Sequence, residues 1–407
     1  MIRHVLLLWG VAHVLYLAAA WWVLRRRAPG RWALPIVVGV GLLVRLVLIP
    51  GAPTLSEDVY RYLWDGRLVA HGVNPFPHAP SDSVLAPYRS DLIHHLNHAD
   101  VPTIYPPAAQ VLFGATAAIS ETPVAWKVML LALETVLLLS LLRMLRNRGL
   151  PPERLLLYYW NPLVLVESFG SGHVDLAAAA FLMLGLWLYE EKRRARAGIA
   201  LALAVLTKFV PALLVPWLLR RRAWVLLAAA AATAAILYAP FLPAGSSLGA
   251  GLGIYARHWE FNGPLYLLLR HAGASGPAAR WILGVTLVLA TLAIGLRART
   301  ATGATLACLT AFLLLSPTVF PWYLVPVVAL LPLHPDRGLM VFSGAVALTY
   351  LPLPAYRATG VWSLPAWIPI VEYGALLATW AIASAARVNQ RQDAHVEESD
   401  QVEKEER

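Results

Sequence analysis

The sequence predicts an all-α, polytopic transmembrane helical bundle of about eleven spans plus re-entrant or interfacial helices. Three observations carry that reading. Of the 407 residues, 59% are hydrophobic and 14% charged, against about 25% charged and 45–50% apolar in an average soluble domain. The apolar residues fall in segments near the roughly 20 residues that a membrane helix needs. Short Lys/Arg clusters punctuate those segments, as loops on the cytoplasmic side do. The formal net charge is +10. Its arginines sit between apolar spans and not on a basic face interleaved with aromatics, which argues against a nucleic-acid partner. Cys308 is the only cysteine, so neither an internal disulfide nor a cysteine-rich metal site is available.

The first apolar stretch, residues 5–24, is followed by Arg25, Arg26, Arg27 and Arg31. It has no small-residue cleavage pattern and reads as a membrane helix, not a signal peptide. A second helix, 32–50, exits outward. Residues 51–104 then form an external loop holding Glu57, Asp58, Asp65, Asp82, Asp91 and Asp100 with five histidines. Segment 105–119 is short and begins Tyr-Pro-Pro. Laying it against the outer face lets 124–145 run inward and keeps Arg143, Arg146, Arg148 and Arg154 inside. Residues 155–169 go out and 174–189 return. Segment 198–219 carries basic clusters at both ends and Lys208 in the middle, which predicts a broken hairpin dipping into the membrane. Irregular backbone is tolerated at that depth only when it lines a cavity or is buried. Residues 224–238 go out, 239–277 form a second external loop, and 278–296 go in. Spans at 306–317, 321–333, 339–353 and 365–386 follow. Residues 1–387 make one transmembrane domain, and the charged tail 388–407 is expected to be a disordered cytoplasmic end.

The densest polar motif is Ser56-Glu57-Asp58-Val59-Tyr60-Arg61-Tyr62-Leu63-Trp64-Asp65-Gly66. Ser56 is placed to cap a helix starting at Glu57. On that helix Asp58, Arg61 and Asp65 share one face, with Tyr60 and Trp64 on a neighbouring one. A partly desolvated carboxylate at a membrane edge has a raised pKa and can take a proton from a hydroxyl. The competing reading of an exposed acidic pair is a solvated helix cap. Asn74 and Pro75 are equally well explained as turn formers. His94 and His95 lack the i, i+4 spacing of a helical zinc pair. Lys127, Lys208 and the group Glu167, His173 and Asp175 are ionisable residues at membrane depth or at its edge, which marks functional candidates. Arg257, His258, Glu260 and Asn262 lie in the second external loop, Arg357 in the last. Trp322 and Tyr323 open a span at the outer face, where aromatic belts also occur.

The motifs SEDVYRYLWDGRLVAHGVNPF (56–76), NHADVPTIYPPAAQ (97–110), WNPLVLVESFGSGHVD (160–175), LTKFVP (206–211), HWEFNGPLY (258–266) and SPTVFPWYLVP (316–326) resemble integral-membrane glycosyltransferases of the GT-C superfamily. They are most similar to the bacterial polyprenol-phosphate-mannose-dependent mannosyltransferases. The resemblance implies inverting transfer of a hexose, mannose first, from a polyprenyl-phosphate sugar to a hydroxyl of a glycolipid, glycan or protein. It implies a plasma (inner) membrane location with the site on the non-cytoplasmic face. Asp58 would be the general base, with Glu57 its neighbour. Lys127, Lys208, Arg257 and Arg357 would hold the donor phosphate. Arg61, Tyr62, Asp65, Asn74, His98, Tyr105, His173, His258, Asn262, Trp322 and Tyr323 would bind substrate. Glu-Asp is not a full Asp-x-Asp, so a divalent metal is compatible with the motif but not implied, and no cofactor is called for. Rival readings are transfer of glucose or arabinose, a secondary transporter or flippase of lipid-linked sugars, and a non-catalytic assembly partner.

Overall fold

A computed structural model describes residues 2–25 and 30–405, with side chains up to residue 386. Arg26 and Arg27 of the first basic cluster lie outside the described residues, as do the side chains of the tail. The described residues are helical and contain no strand beyond isolated bridges from Phe261 and Asn262 to Thr318. Among the described residues six helices are long and apolar enough to cross a membrane, and the bent pair described below makes a seventh if it counts as one span. Four apolar helices are shorter. The chain is a multi-pass membrane protein.

α1 (Ile2–Arg25) shows how such a helix is built. Trp9, His13, Tyr16, Ala20 and Val23 recur at spacings of three and four and are buried, while Leu7, Leu8, Val14 and Leu15 are exposed. The buried stripe faces protein, and the exposed apolar face suits lipid. α2 (Ala33–Leu48) buries Val37, Gly41 and Arg45 in the same way. The Arg45 guanidinium meets Glu134 of α5 (Pro123–Asn147) through Nε–Oε2 at 2.5 Å and a second contact at 2.7 Å. Gly41 O, Tyr159 O and the Tyr158 hydroxyl complete the cluster. Both charges are fully buried, a cost that is met only because each polar atom has a partner.

The polar helix is α3 (Asp58–Ala70), and it packs on α4 (Pro107–Ala117). The two approach at glycines: a Cβ on Gly66 would lie 2.4 Å from Phe113 O, and one on Gly114 would lie 2.6 Å from Val69 Cγ1. At 11 residues, α4 is too short to cross a bilayer. The loop between α3 and α4 is fastened by Asp65. Its carboxylate accepts from Arg61 Nε (2.9 Å), Thr103 Oγ1 (2.5 Å) and Gln110 Nε2 (3.2 Å).

Two short helices, α6 (Leu156–Tyr159) and α7 (Pro162–Val164), lead through a π-type turn to a break, after which α8 (Asp175–Glu190) departs at 118°. α9 (Arg194–Thr207) lies against α8 and ends at Lys208, whose backbone is extended. A 3-10 turn and α10 (Val215–Arg220) return the chain to α11 (Trp224–Tyr238). The expected second external loop, 239–277, is largely helical. A 3-10 segment kinked at Gly245 (φ 54°) leads into α12 (Ala250–His258), and α13 (Pro264–His271) follows. Its Gly and Pro residues reshape the helix locally without making a coil. α14 (Gly276–Arg297), α15 (Ala301–Leu315), α16 (Val325–Leu330), α17 (Arg337–Ala345), α18 (Leu353–Thr359) and α19 (Trp367–Glu405) complete the chain. The span expected at 339–353 runs longer, over Arg337–Thr359.

The basic ends gather together. Arg148 bonds Glu190 and Thr302, Thr302 meets His334, and Arg221 donates to Arg299 O.

Candidate active site

A cavity of about 850 Å³ opens beside the first turn of α3. Its walls come from residues 55–62, the loop at 97–106, the break after α9, α12, the segment 316–323 and α18. It is lined by apolar and aromatic side chains with ionisable groups among them, the general make-up of a ligand site.

Asp58 enters the cavity from the N-terminus of α3, where Ser56 Oγ accepts from its backbone N–H at 3.3 Å. Glu57 holds the N-cap position without a side-chain cap bond, and Ser56, one residue before it, takes up one of the free first-turn donors. Burial pushes the Asp58 carboxyl up to about 6, against the opposing pull of the Lys208 ammonium and with help from the Asp175 charge. That value sits near neutral pH, where a general base works best. Behind Asp58, Tyr62 is buried and its ring stacks on Phe113, with Tyr105 and Trp126 edge-on.

Lys208 reaches the same cavity from the end of α9. Its Nζ donates to Asp175 Oδ1 at 2.5 Å and lies 4.0 Å from the centroid of the Tyr323 ring. The Tyr323 hydroxyl meets that of Tyr255 at 2.6 Å. A row of rings runs Phe261–Phe320–Trp322–His173, stacked at centroid distances of 4.4, 4.5 and 3.7 Å. His173 closes this row beside Asp58.

Glu57, Asp58, Arg61, Tyr62, His98, Tyr105, Lys208, Trp322, Tyr323 and Arg357 line the cavity. Seven expected residues do not. Lys127 is buried, and its Nζ donates to Gly51 O at 2.7 Å. Arg257 and His258 end α12 on exposed positions outside the lining. Asn262 is buried and gives Nδ2 to Glu372. Asp65 is consumed by the Arg61–Thr103–Gln110 knot. Asn74 gives its side-chain N–H to Phe241 O and accepts from Phe76 N. His173 sits one layer back, behind Trp322. Among the described residues no group of three or more His, Cys, Asp and Glu side chains is arranged to hold a metal ion.

Among the lining residues missed in the sequence are Arg280, Tyr255, Tyr350 and Trp362. Arg280 donates to Glu260 at 2.9 Å. It falls inside an expected span, and an arginine at membrane depth is a signal in itself. The aromatics carry no such signal, because every face of this chain is rich in them.

Over residues 1–235 the sequence matches the MptA_B family, described as alpha-(1->6)-mannopyranosyltransferase, N-terminal domain. The chain belongs to that family. It is 27% identical over 267 residues to alpha-(1->6)-mannopyranosyltransferase A of Mycobacterium tuberculosis (strain ATCC 25618 / H37Rv), a match covering 61% of this chain. The match spans about half of that relative, 51% of its length. Within the mannopyranosyltransferase family match lie Asp58, His173, Asp175 and Lys208. The facing wall from Tyr255 to Trp362 lies beyond it.

Proposed function

We propose that this protein transfers mannose from a polyprenyl-phosphate donor to a sugar hydroxyl at the outer membrane face, forming an α-(1→6) linkage with inversion. The observation that carries this reading is Asp58, a carboxylate poised near neutral pH, in one cavity with the Lys208 ammonium. The acceptor oxygen attacks the anomeric carbon as its proton passes to Asp58. The bond from that carbon to the phosphate oxygen breaks, and a polyprenyl phosphate leaves. One carboxylate suffices for this chemistry, since phosphate is a good leaving group once cations neutralise it. Inversion to an α product requires a β-linked donor.

Lys208 and Arg357 line the cavity and are the cations assigned to the phosphate. Arg357 spends one donor on Thr54 O and keeps others. Lys127 and Arg257 are dropped from that role, because both lie outside the lining. Leu55, Ile104, Val210, Leu252, Phe312 and Leu353 offer an apolar wall for a prenyl chain. The gathering of basic clusters at one end of the bundle supports an outward-facing site, in a plasma (inner) membrane.

Purified protein incubated with radiolabelled polyprenyl-phosphate-mannose and a mannose-containing acceptor tests the reading. Label in the acceptor, in an α-(1→6) linkage, supports it. Movement of intact donor across vesicles with no labelled acceptor would establish transport instead.

A further inference from the structure

His173 is 1% exposed, yet neither ring nitrogen makes a hydrogen bond of normal geometry. Leaving a buried imidazole unpartnered is costly. The ring lies between two carboxylates: Nδ1 is 3.7 Å from Asp58 Oδ2, and Nε2 is 3.3 Å from Glu167 Oε2. It is held there from three directions. Its face stacks on Trp322. Its backbone N–H bonds Glu167 O at 2.9 Å. The residue before it, Gly172, takes φ +84° and is clamped by Trp126 Nε1 on its carbonyl at 2.6 Å. A side chain at 172 would be strained in that conformation. Glu167 is fully buried and accepts from the Tyr350 hydroxyl at 2.9 Å.

We propose that His173 is a positioning residue for the base: Tyr350, Glu167 and His173 form a line of matched donors and acceptors that aims Asp58 into the cavity. The inference rests on Asp58 being the base. A neutral imidazole has one donor and one acceptor. Ionised Asp58 only accepts, so Nδ1–H faces it. Nε2 then needs a donor, and Glu167 supplies one in its acid form through Oε2. The Tyr350 hydroxyl lies 2.9 Å from Glu167 Oε1 and 3.1 Å from Oε2; giving its proton to Oε1 leaves the Oε2 proton for Nε2, 3.3 Å away. The 3.7 Å gap exceeds a hydrogen bond. Asp58 is 29% exposed against 1% for His173, so the carboxylate is the freer partner, and its movement closes the gap as substrate fills the cavity. Catalytic contacts commonly tighten in that way.

The test compares His173→Asn, His173→Leu, Glu167→Gln and Glu167→Leu, each at matched thermal stability in detergent. His173→Leu lowers kcat by roughly 10²-fold, the cost of a misaimed group, with donor KM unchanged. An asparagine amide reaches the Nδ1 position, so His173→Asn recovers much of that loss. Glu167→Gln keeps a donor towards Nε2 and loses less kcat than Glu167→Leu. Equal losses in His173→Asn and His173→Leu would reduce the residue to packing and overturn the proposal. A raised donor KM at wild-type kcat would overturn it in favour of binding. If His173→Leu does not fold, the Glu167 pair decides alone: equal loss in both overturns the line. Asp58→Asn separates the two readings. If that variant is inactive while the His173 pair behaves alike, only this inference fails; if it is active, the base assignment fails first.

Discussion

The Lys208 ammonium donates to the Asp175 carboxylate across 2.5 Å, tying the break at the end of α9 to the first turn of α8. Two separate stretches of chain thus deliver one cation to the wall opposite Asp58. The pair has two jobs, since Lys208 fixes a helix break and also lines the cavity, and these can be pulled apart.

Lys208→Met strands a buried carboxylate and is expected to destabilise the protein by about 1–3 kcal/mol. Adding Asp175→Asn removes the stranded charge and restores the melting temperature. The double variant still binds polyprenyl-phosphate-mannose roughly 10- to 150-fold more weakly than wild type, the loss of one charge-assisted contact. Wild-type donor affinity in the double variant would make Lys208 purely structural and move the phosphate towards Arg357.

Gly66→Ala pushes a methyl group to 2.4 Å from Phe113 O, and that atom is backbone and cannot swing aside. The α3–α4 contact must open, at a cost of about 1–3 kcal/mol. Thermal unfolding in detergent reads the loss. Because α3 carries Asp58, transfer activity falls more than the stability change alone explains. An unchanged melting temperature would show that the two helices are not held this closely.

The pH dependence follows from Asp58. Its carboxyl is raised to about 6 by burial, and a base must be ionised to act. Transfer therefore rises with pH through this value and levels above it, as read from log kcat/KM against pH. Glu57→Gln leaves the rising limb in place. A profile flat from pH 5 to 8, about one unit either side of that value and beyond, would remove the limb assigned to Asp58.

Single cysteines at Ser81 and Ser246, in a Cys308→Ala background, test the side of the membrane. Both native serines are exposed, and Cys308 is buried. Both positions are expected to label with an impermeant thiol reagent in intact cells. Labelling at one alone would put the two segments on opposite faces and contradict the proposed outward-facing site.

Much of this molecule was legible in the sequence, and the reasons differ by residue. The Arg61–Asp65 pair follows from local spacing, and the structure reproduces it; the expected Ser56 cap is displaced, because α3 starts one residue later with Glu57 at the cap position and Ser56 Oγ reaches only the Asp58 N–H. The Lys208 break was visible as a charge and a proline in an apolar run. Asp65 and Asn74 were harder, because a polar side chain in a loop looks the same whether it meets a ligand or another loop. Their partners, Thr103 and Phe241 O, are distant in sequence. The Arg45–Glu134 pair escaped notice for the same reason: each residue is a lone charge in its span, and only packing joins them. Lys127 was well flagged as a buried cation, yet a nearby carbonyl, Gly51 O, answers it.

The central claim is that Asp58 takes the proton from the acceptor hydroxyl. The most direct measurement is transfer of radiolabelled mannose from polyprenyl-phosphate-mannose by Asp58→Asn, alongside donor binding and melting temperature for the same preparation. Transfer is expected to fall roughly 10²-fold or more, with the protein folded and the donor still bound. Wild-type turnover by this variant would contradict it.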